Sequence, residues 1–185
     1  MENQNDTAEN LNSELHSEIR EQYIMSTEKF IFLSIATFGL YSLRWMYKSW
    51  HFYRQKDNSD VKPLPRAILY FVFLFSLNEK ILSSALEKGY SKRYPPALLS
   101  IGFILFSLAV LLPYPFSLFS ILSLVFIIPS FKAFNYYRES STQFEVIDQS
   151  EFNDREEILI ILGSILWFII FVSLTGSFNI TMRTD

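Results

Sequence analysis

The chain has 185 residues and a formal net charge of −3; half of it is hydrophobic, 17% is aromatic, and it contains no Cys. Two stretches carry no charge at all, Tyr94 to Phe131 (38 residues) and Ile158 to Met182 (25 residues). This distribution excludes an ordinary soluble enzyme and a disordered chain, and the missing thiols exclude disulfides, thiolate catalysis and Cys-held zinc or iron–sulfur centres.

In chain order, residues 1–22 are polar and read as a solvated, disordered tail, although Leu11, Leu15 and Ile19 recur at helical spacing. The N-terminus is acidic, so no cleavable signal peptide is expected. The first apolar segment is 30–43, with Ser26 and Thr27 placed to cap it. Fourteen residues give about 21 Å of helix, short of a roughly 30 Å hydrocarbon core. Residues 44–56 continue the helical pattern, with Arg44, Lys48, His51 and Gln55 on one face and Met46, Trp50 and Tyr53 on another. A basic, aromatic amphipathic helix of this kind suits a membrane surface. Segment 1 therefore either crosses or bends along the interface.

Residues 57–66 read as a turn, with Pro63 and Pro65 opening a helix. A second apolar segment follows at 67–77, and Gly89 is placed to end its helix. Segments 97–112 and 116–131, separated by Pro113-Tyr114-Pro115, have the pattern of a transmembrane hairpin. Residues 138–157 form a polar connection ending in acids that suit a helix start. The last segment, 158–174, contains Trp167, and Gly163-Ser164 suits close helix packing. The expected fold is all-α, an integral membrane helical bundle with three to five embedded or spanning helices. It comprises a tail at 1–22, a membrane domain at 23–178 and a short tail at 179–185.

Charge orients this bundle. Five alternating spans divide the Lys and Arg residues seven to nine, which gives no bias. With segment 2 along the cytoplasmic interface the division is thirteen to three, and with segment 1 also not crossing it is fifteen to one. The positive-inside rule then places the basic region 44–96 on the cytoplasmic side, except where it is embedded, and the Pro113 turn outside.

Motifs for chemistry are scarce. His16 and His51 are the only histidines, and no metal-binding, nucleophile or phosphate-loop pattern is present. Ser26-x-x-Lys29 reads as a helix cap, and Asn179-Ile180-Thr181 as a chance glycosylation triplet. No catalytic, cofactor or metal residue is expected. The candidate contacts with lipid headgroups or an interface are Arg44, Trp45, Lys48, Trp50, Arg54 and Lys56. Glu79 and Lys80, beside an apolar run, are the candidate intramembrane polar pair.

Thr37-Phe38-Gly39-Leu40-Tyr41 followed by Trp45, Tyr47 and Lys48 resembles the T-x-G-[IL]-Y-x-x-x-W-x-Y-K pattern of small, uncharacterised bacterial multi-pass membrane proteins. The Pro-broken hairpin and the last Trp-bearing helix also resemble their layout. The resemblance implies a bacterial inner-membrane location and carries no activity. The expected protein is non-enzymatic, without a cofactor. It acts through contacts with membrane lipids, anionic ones included, with another membrane protein or with itself, and not with nucleic acid. The alternative is a small homo-oligomeric transporter or channel.

Overall fold

A computed structural model describes residues 21–113, 116–142, 144–149 and 151–181, with side chains from Gln22 to Val172. The expected features at Leu11, Leu15, Ile19 and His16 lie outside the described residues, as do the side chains of the 179–181 triplet. The fold is all-α: helices α1 (Thr27–Ala36), α2 (Leu40–Lys56), α3 (Pro63–Ile68), α4 (Tyr70–Glu87), α5 (Pro96–Leu108), α6 (Ser123–Glu139) and α7 (Asp154–Thr181). Short 3₁₀ turns at Ala109–Leu111 and Phe116–Leu122 flank the Pro113 bend. One small sheet accompanies them: β1 (Glu21–Ile24) pairs in parallel with β2 (Glu145–Asp148). It takes in the last two residues of the expected tail, because the polar connection at 138–157 folds back to offer them a partner. α7 runs to Thr181, past the expected end of the membrane domain at 178.

The local signals in the sequence account for most helix ends. Ser26 caps α1, its side chain accepting the Lys29 N–H. Pro63 and Pro96 each occupy a first helical position. Gly89, at φ +90°, follows the end of α4. Pro129 lies within α6, which continues to Glu139.

Segment 1 differs from its expectation. The helix stops at Ala36, and Phe38 and Gly39 adopt positive φ, +52° and +85°. Gly39 tolerates that left-handed geometry because it has no Cβ. The turn reverses the chain. The Ser42 hydroxyl donates to that of Ser34 at 3.1 Å, and the Phe30 ring meets both Tyr41 and Trp45. α1 and α2 are thus an antiparallel hairpin. With ten residues, α1 is about 15 Å long, half a hydrocarbon thickness.

Phe131, Phe134 and Tyr137 of α6 meet Trp45, Phe52 and Tyr53 of α2 in the same chain order, so these two helices run side by side in parallel, in contact through their aromatic rings. In contrast, α4 and α5 are antiparallel neighbours: Asn78 bonds Ser100, and Tyr70 bonds Ser107. α1 and α7 run in parallel, with Lys29 at Glu156, Ala36 at Gly163 and Phe38 stacked on Trp167. The core is aromatic and centres on Phe30, Trp45, Trp50, Tyr53 and Phe131.

The expected three to five spans are reproduced in part. Among the described residues, one helical stretch, Phe116–Glu139, is long and apolar enough to cross a membrane, and Pro96–Leu111 is a shorter apolar helix. Large apolar side chains nevertheless face outward on several elements: Phe71 and Val72 on α4, Ile101 and Leu105 on α5, and Ile165 and Phe168 on α7.

Candidate functional site

The start of α7 is fixed by a capping box. The Glu156 N–H donates to Asn153 Oδ1 at 2.9 Å, and the Asn153 N–H donates back to Glu156 Oε2 at 3.3 Å. This orients the Glu156 carboxylate into the protein, where the residue is 1% exposed. Lys29 Nζ lies 3.0 Å from Oε2, and the Tyr41 hydroxyl donates to Oε1 at 2.7 Å. Lys29 also donates to the carbonyls of Gln149 and Glu151, and Gln149 Nε2 donates to Glu156. Burial alone would raise the Glu156 pKa. The hydrogen bonds from Tyr41, Lys29 and Asn153, with the Lys29 charge, outweigh it and hold the carboxyl below its ordinary value. One carboxylate thereby ties α1, α2 and α7 together.

Beside this knot, α2 and α6 border a cleft of about 600 Å³. Arg44, Lys48 and His51 line it from α2, Arg138 from α6, and Trp45, Phe52 and Phe131 supply aromatic walls. No Asp or Glu is among the described residues lining it. Arg138 is held rigidly. Its guanidinium lies over the Phe134 ring, donating to the Tyr23 carbonyl at 3.1 Å and to Asn135 Oδ1 at 2.6 Å. Its Nε–H is buried and has no hydrogen-bond partner among the described residues; the same holds for the Trp45 Nε1–H. Arg44 lies over the Tyr41 ring. Burial, and then the charges of Arg44, Arg138 and Arg155, lower the Lys48 pKa, although Glu156 pulls the other way.

The structure thus brings together three of the six predicted contact residues: Arg44, Trp45 and Lys48. The other three lie elsewhere. Trp50 is 2% exposed, with the Arg66 guanidinium over its ring. Lys56 sits over Tyr53 and Tyr137, and Arg54 is exposed. Both tryptophans belong to the aromatic core: the hairpin turns Trp45 onto Phe30 of α1 and Phe131 of α6, while Trp50 lies beneath Arg66 of α3. Glu79 and Lys80 do not pair with each other: Glu79 is exposed, and Lys80 pairs with Asp57. The buried polar group of that segment is its neighbour Asn78, which donates to Ser100 Oγ at 2.9 Å and accepts from the Tyr94 hydroxyl at its carbonyl.

Sequence reasoning missed Lys29, Arg138 and Glu156. For Glu156 a signal existed, the Asn153-x-x-Glu156 capping spacing. Arg138 had none, since only the packing of α6 along α2 brings it to Arg44 and Lys48.

Among the described residues no group of His, Cys, Asp or Glu is arranged to hold a metal ion. A second cavity, about 590 Å³ and mostly apolar, lies between the hairpin tip and the Pro113 end; Phe38, Tyr70, Phe103 and Trp167 line it, with Ser107 and Ser120 hydroxyls among them.

These features define an all-α protein with an apolar helix of membrane-crossing length and a carboxylate-free basic cleft. The chain belongs to the family described as Domain of unknown function (DUF4234), which it matches over residues 25–179. No curated protein and no solved structure matches it.

Proposed function

We propose that this chain is a multi-pass protein of the bacterial inner membrane that works without catalysis, through contacts of its basic end with anionic lipid and with neighbouring membrane proteins or further copies of itself. The observation that carries the reading is the outward apolar surface. Ile101, Leu105, Leu111, Ile165 and Phe168 are each more than half exposed, on helices whose outward faces carry further apolar side chains, and large exposed apolar patches mark interaction or membrane surfaces. Lipid accounts for it.

The hairpin of α1 and α2 supports one orientation. It returns the chain to the side it left, so Lys29 and the basic α2 share an end, and the Lys29–Glu156 pair brings the start of α7 there too. That matches the fifteen-to-one division of basic residues and supports a cytoplasmic position for this end. The reading as a small homo-oligomeric transporter or channel is favoured by the 590 Å³ cavity. Among its described lining residues there is no Asp, Glu, Lys, Arg or His, which suits an apolar guest better than an ion.

Because the chain lacks Cys, single cysteines test the topology in intact cells. Ser91→Cys is expected to be shielded from a membrane-impermeant maleimide and Leu111→Cys to be labelled. The opposite pattern inverts the orientation, and release of the protein by alkaline carbonate refutes the membrane reading. Crosslinking in native membranes, read by mass spectrometry, then separates the modes of action. A specific second protein or attached anionic lipid supports the contact reading, and self-crosslinks alone at fixed stoichiometry favour the transporter.

A further inference from the structure

We propose that the cleft between α2 and α6 is a binding site for a phosphate group, held by the Trp45 N–H, the Arg138 guanidinium and the side chains of Arg44 and Lys48. The argument starts from hydrogen-bond types. The buried groups left without partners among the cleft residues are the Trp45 Nε1–H and the Arg138 Nε–H, and both are donors only. Arg44 and Lys48 add further donors and no acceptor. A buried donor without a partner is costly, and a native fold rarely keeps two in one cavity.

Charge points the same way. Three cations converge, with His51 beside them, and no carboxylate is among the described lining residues. Elsewhere the protein does pair its buried charge: Lys29 has Glu156. What the cleft lacks is therefore an anion rich in acceptor oxygens. A phosphate fits better than a single carboxylate, having more oxygens to share among four side chains. The cavity, about 600 Å³, is much larger than a phosphate alone and has the size of a small-ligand pocket. Its aromatic walls leave apolar surface beside the cations, which matches a phosphate carried on an organic group.

Two sources supply that chemistry, a phospholipid headgroup and free phosphate. The lipid source rests on the membrane reading above; the site itself rests on the cleft alone. The test uses the full chain in neutral detergent, with two probes: mixed micelles of phosphatidylglycerol and phosphatidylcholine at equal amounts, read by native mass spectrometry, and inorganic phosphate, read by calorimetry. The informative variants are Trp45→Phe, which removes one N–H and keeps a ring in the core, and Arg44→Gln with Lys48→Gln, whose charges make no ion pair among the described residues. Arg138→Gln is secondary, since Arg138 also holds Tyr23 and Asn135.

Preferential retention of phosphatidylglycerol, reduced about tenfold or more by Arg44→Gln/Lys48→Gln and less by Trp45→Phe at unchanged Tm, assigns the site to a lipid headgroup. Binding of inorganic phosphate with the same dependence, and no lipid preference, assigns it to free phosphate. Equal retention of both lipids with no phosphate binding overturns the proposal, as does binding of polyglutamate in place of either probe. Carbonate extraction of the same variants keeps the two ideas apart: a membrane-retained chain with no variant-dependent binding sinks the site and leaves the membrane reading intact.

Discussion

Around Phe30, Trp45 and Phe131, aromatic rings are packed on one another and sealed off: Phe30 stacks on Phe131 at 4.2 Å, and Trp45 meets Phe30 edge-on at 5.9 Å. On α5, the 3₁₀ turns and α7, residues of the same kinds point outward, with Leu111 at 79% and Phe168 at 67% exposed. Composition does not separate these regions, since both are rich in Phe, Leu and Ile. Their surroundings do. The first is held by burial and by a polar knot at its edge. In a bilayer the second gains little from burying apolar surface between helices, since lipid tails are as apolar as the side chains, and it depends on close packing instead.

The largest expected effect lies at the edge of the sealed region. Glu156→Ala leaves Lys29 buried without its counter-charge and removes the acceptor for Tyr41 and Gln149, at a cost of about 3–5 kcal/mol. Thermal unfolding in detergent measures it. Lys29→Met combined with Glu156→Gln is expected to recover most of that loss, because no lone charge then remains. The same carboxylate sets an acid limit. Its folded pKa lies below its unfolded value near 4.5, so its contribution is complete above that value. It is lost as pH falls through the depressed folded pKa. A drop in Tm below about pH 4.5, flattened in Glu156→Gln, is the expected profile; an unchanged drop in that variant assigns the acid limit to other carboxyls.

A comparable loss, about 3–5 kcal/mol, is expected for Phe131→Ala, which opens a cavity between Phe30 and Trp45. If Phe131→Ala cost less than 1 kcal/mol, the sealed region would not be the stabilising core, and the contrast between the regions would collapse.

Much of this contrast was legible in the sequence. The two uncharged stretches announced the outward apolar helices, and prolines and glycines marked most helix ends. Gly39 shows where legibility stopped. A Gly inside an apolar run suits close packing as well as a reversal, and only the contacts of Ser34 with Ser42 and of Phe30 with Trp45 decide for the turn. Once the chain reverses there, Trp45 is turned onto Phe30 and becomes core rather than surface. The basic cleft was half legible for a related reason. Arg44 and Lys48 share a helix face by periodicity, but Arg138 is about ninety residues away and joins them only through the packing of two helices. Pairings over such separations are not encoded in local spacing.

A smaller effect is expected where the two regions meet. Gly163 of α7 lies against the backbone of Ala36, and a Cβ built there would overlap the Ala36 carbonyl oxygen. That oxygen belongs to the backbone and has no rotamer to escape into. Gly163→Ala should therefore push α7 away from α1, costing about 1–3 kcal/mol. The Trp167 hydrogen bond to the Ile35 carbonyl, 3.2 Å long, sits one turn further on and would weaken with it. A blue shift or broadening of the Trp167 emission alongside a lower Tm is the expected result, read in a Trp45→Phe/Trp50→Phe background. An unaltered Tm would mean that α7 docks through Glu156 alone.

The smallest expected effect probes the outward face itself. Ile165 is 52% exposed on α7, and in detergent Ile165→Ala should change stability by no more than about 0.5 kcal/mol, far less than half the loss at Phe131, although it removes half as many apolar carbons. The contrast follows from what each side chain touches: Phe131 has protein on every side, while Ile165 exchanges one apolar solvent for a slightly larger share of the same. A cost above about 1 kcal/mol at Ile165 would exceed the usual range for a surface substitution. It would place that face of α7 against a second protein surface, and if the cost grew with protein concentration the partner would be another copy of this chain.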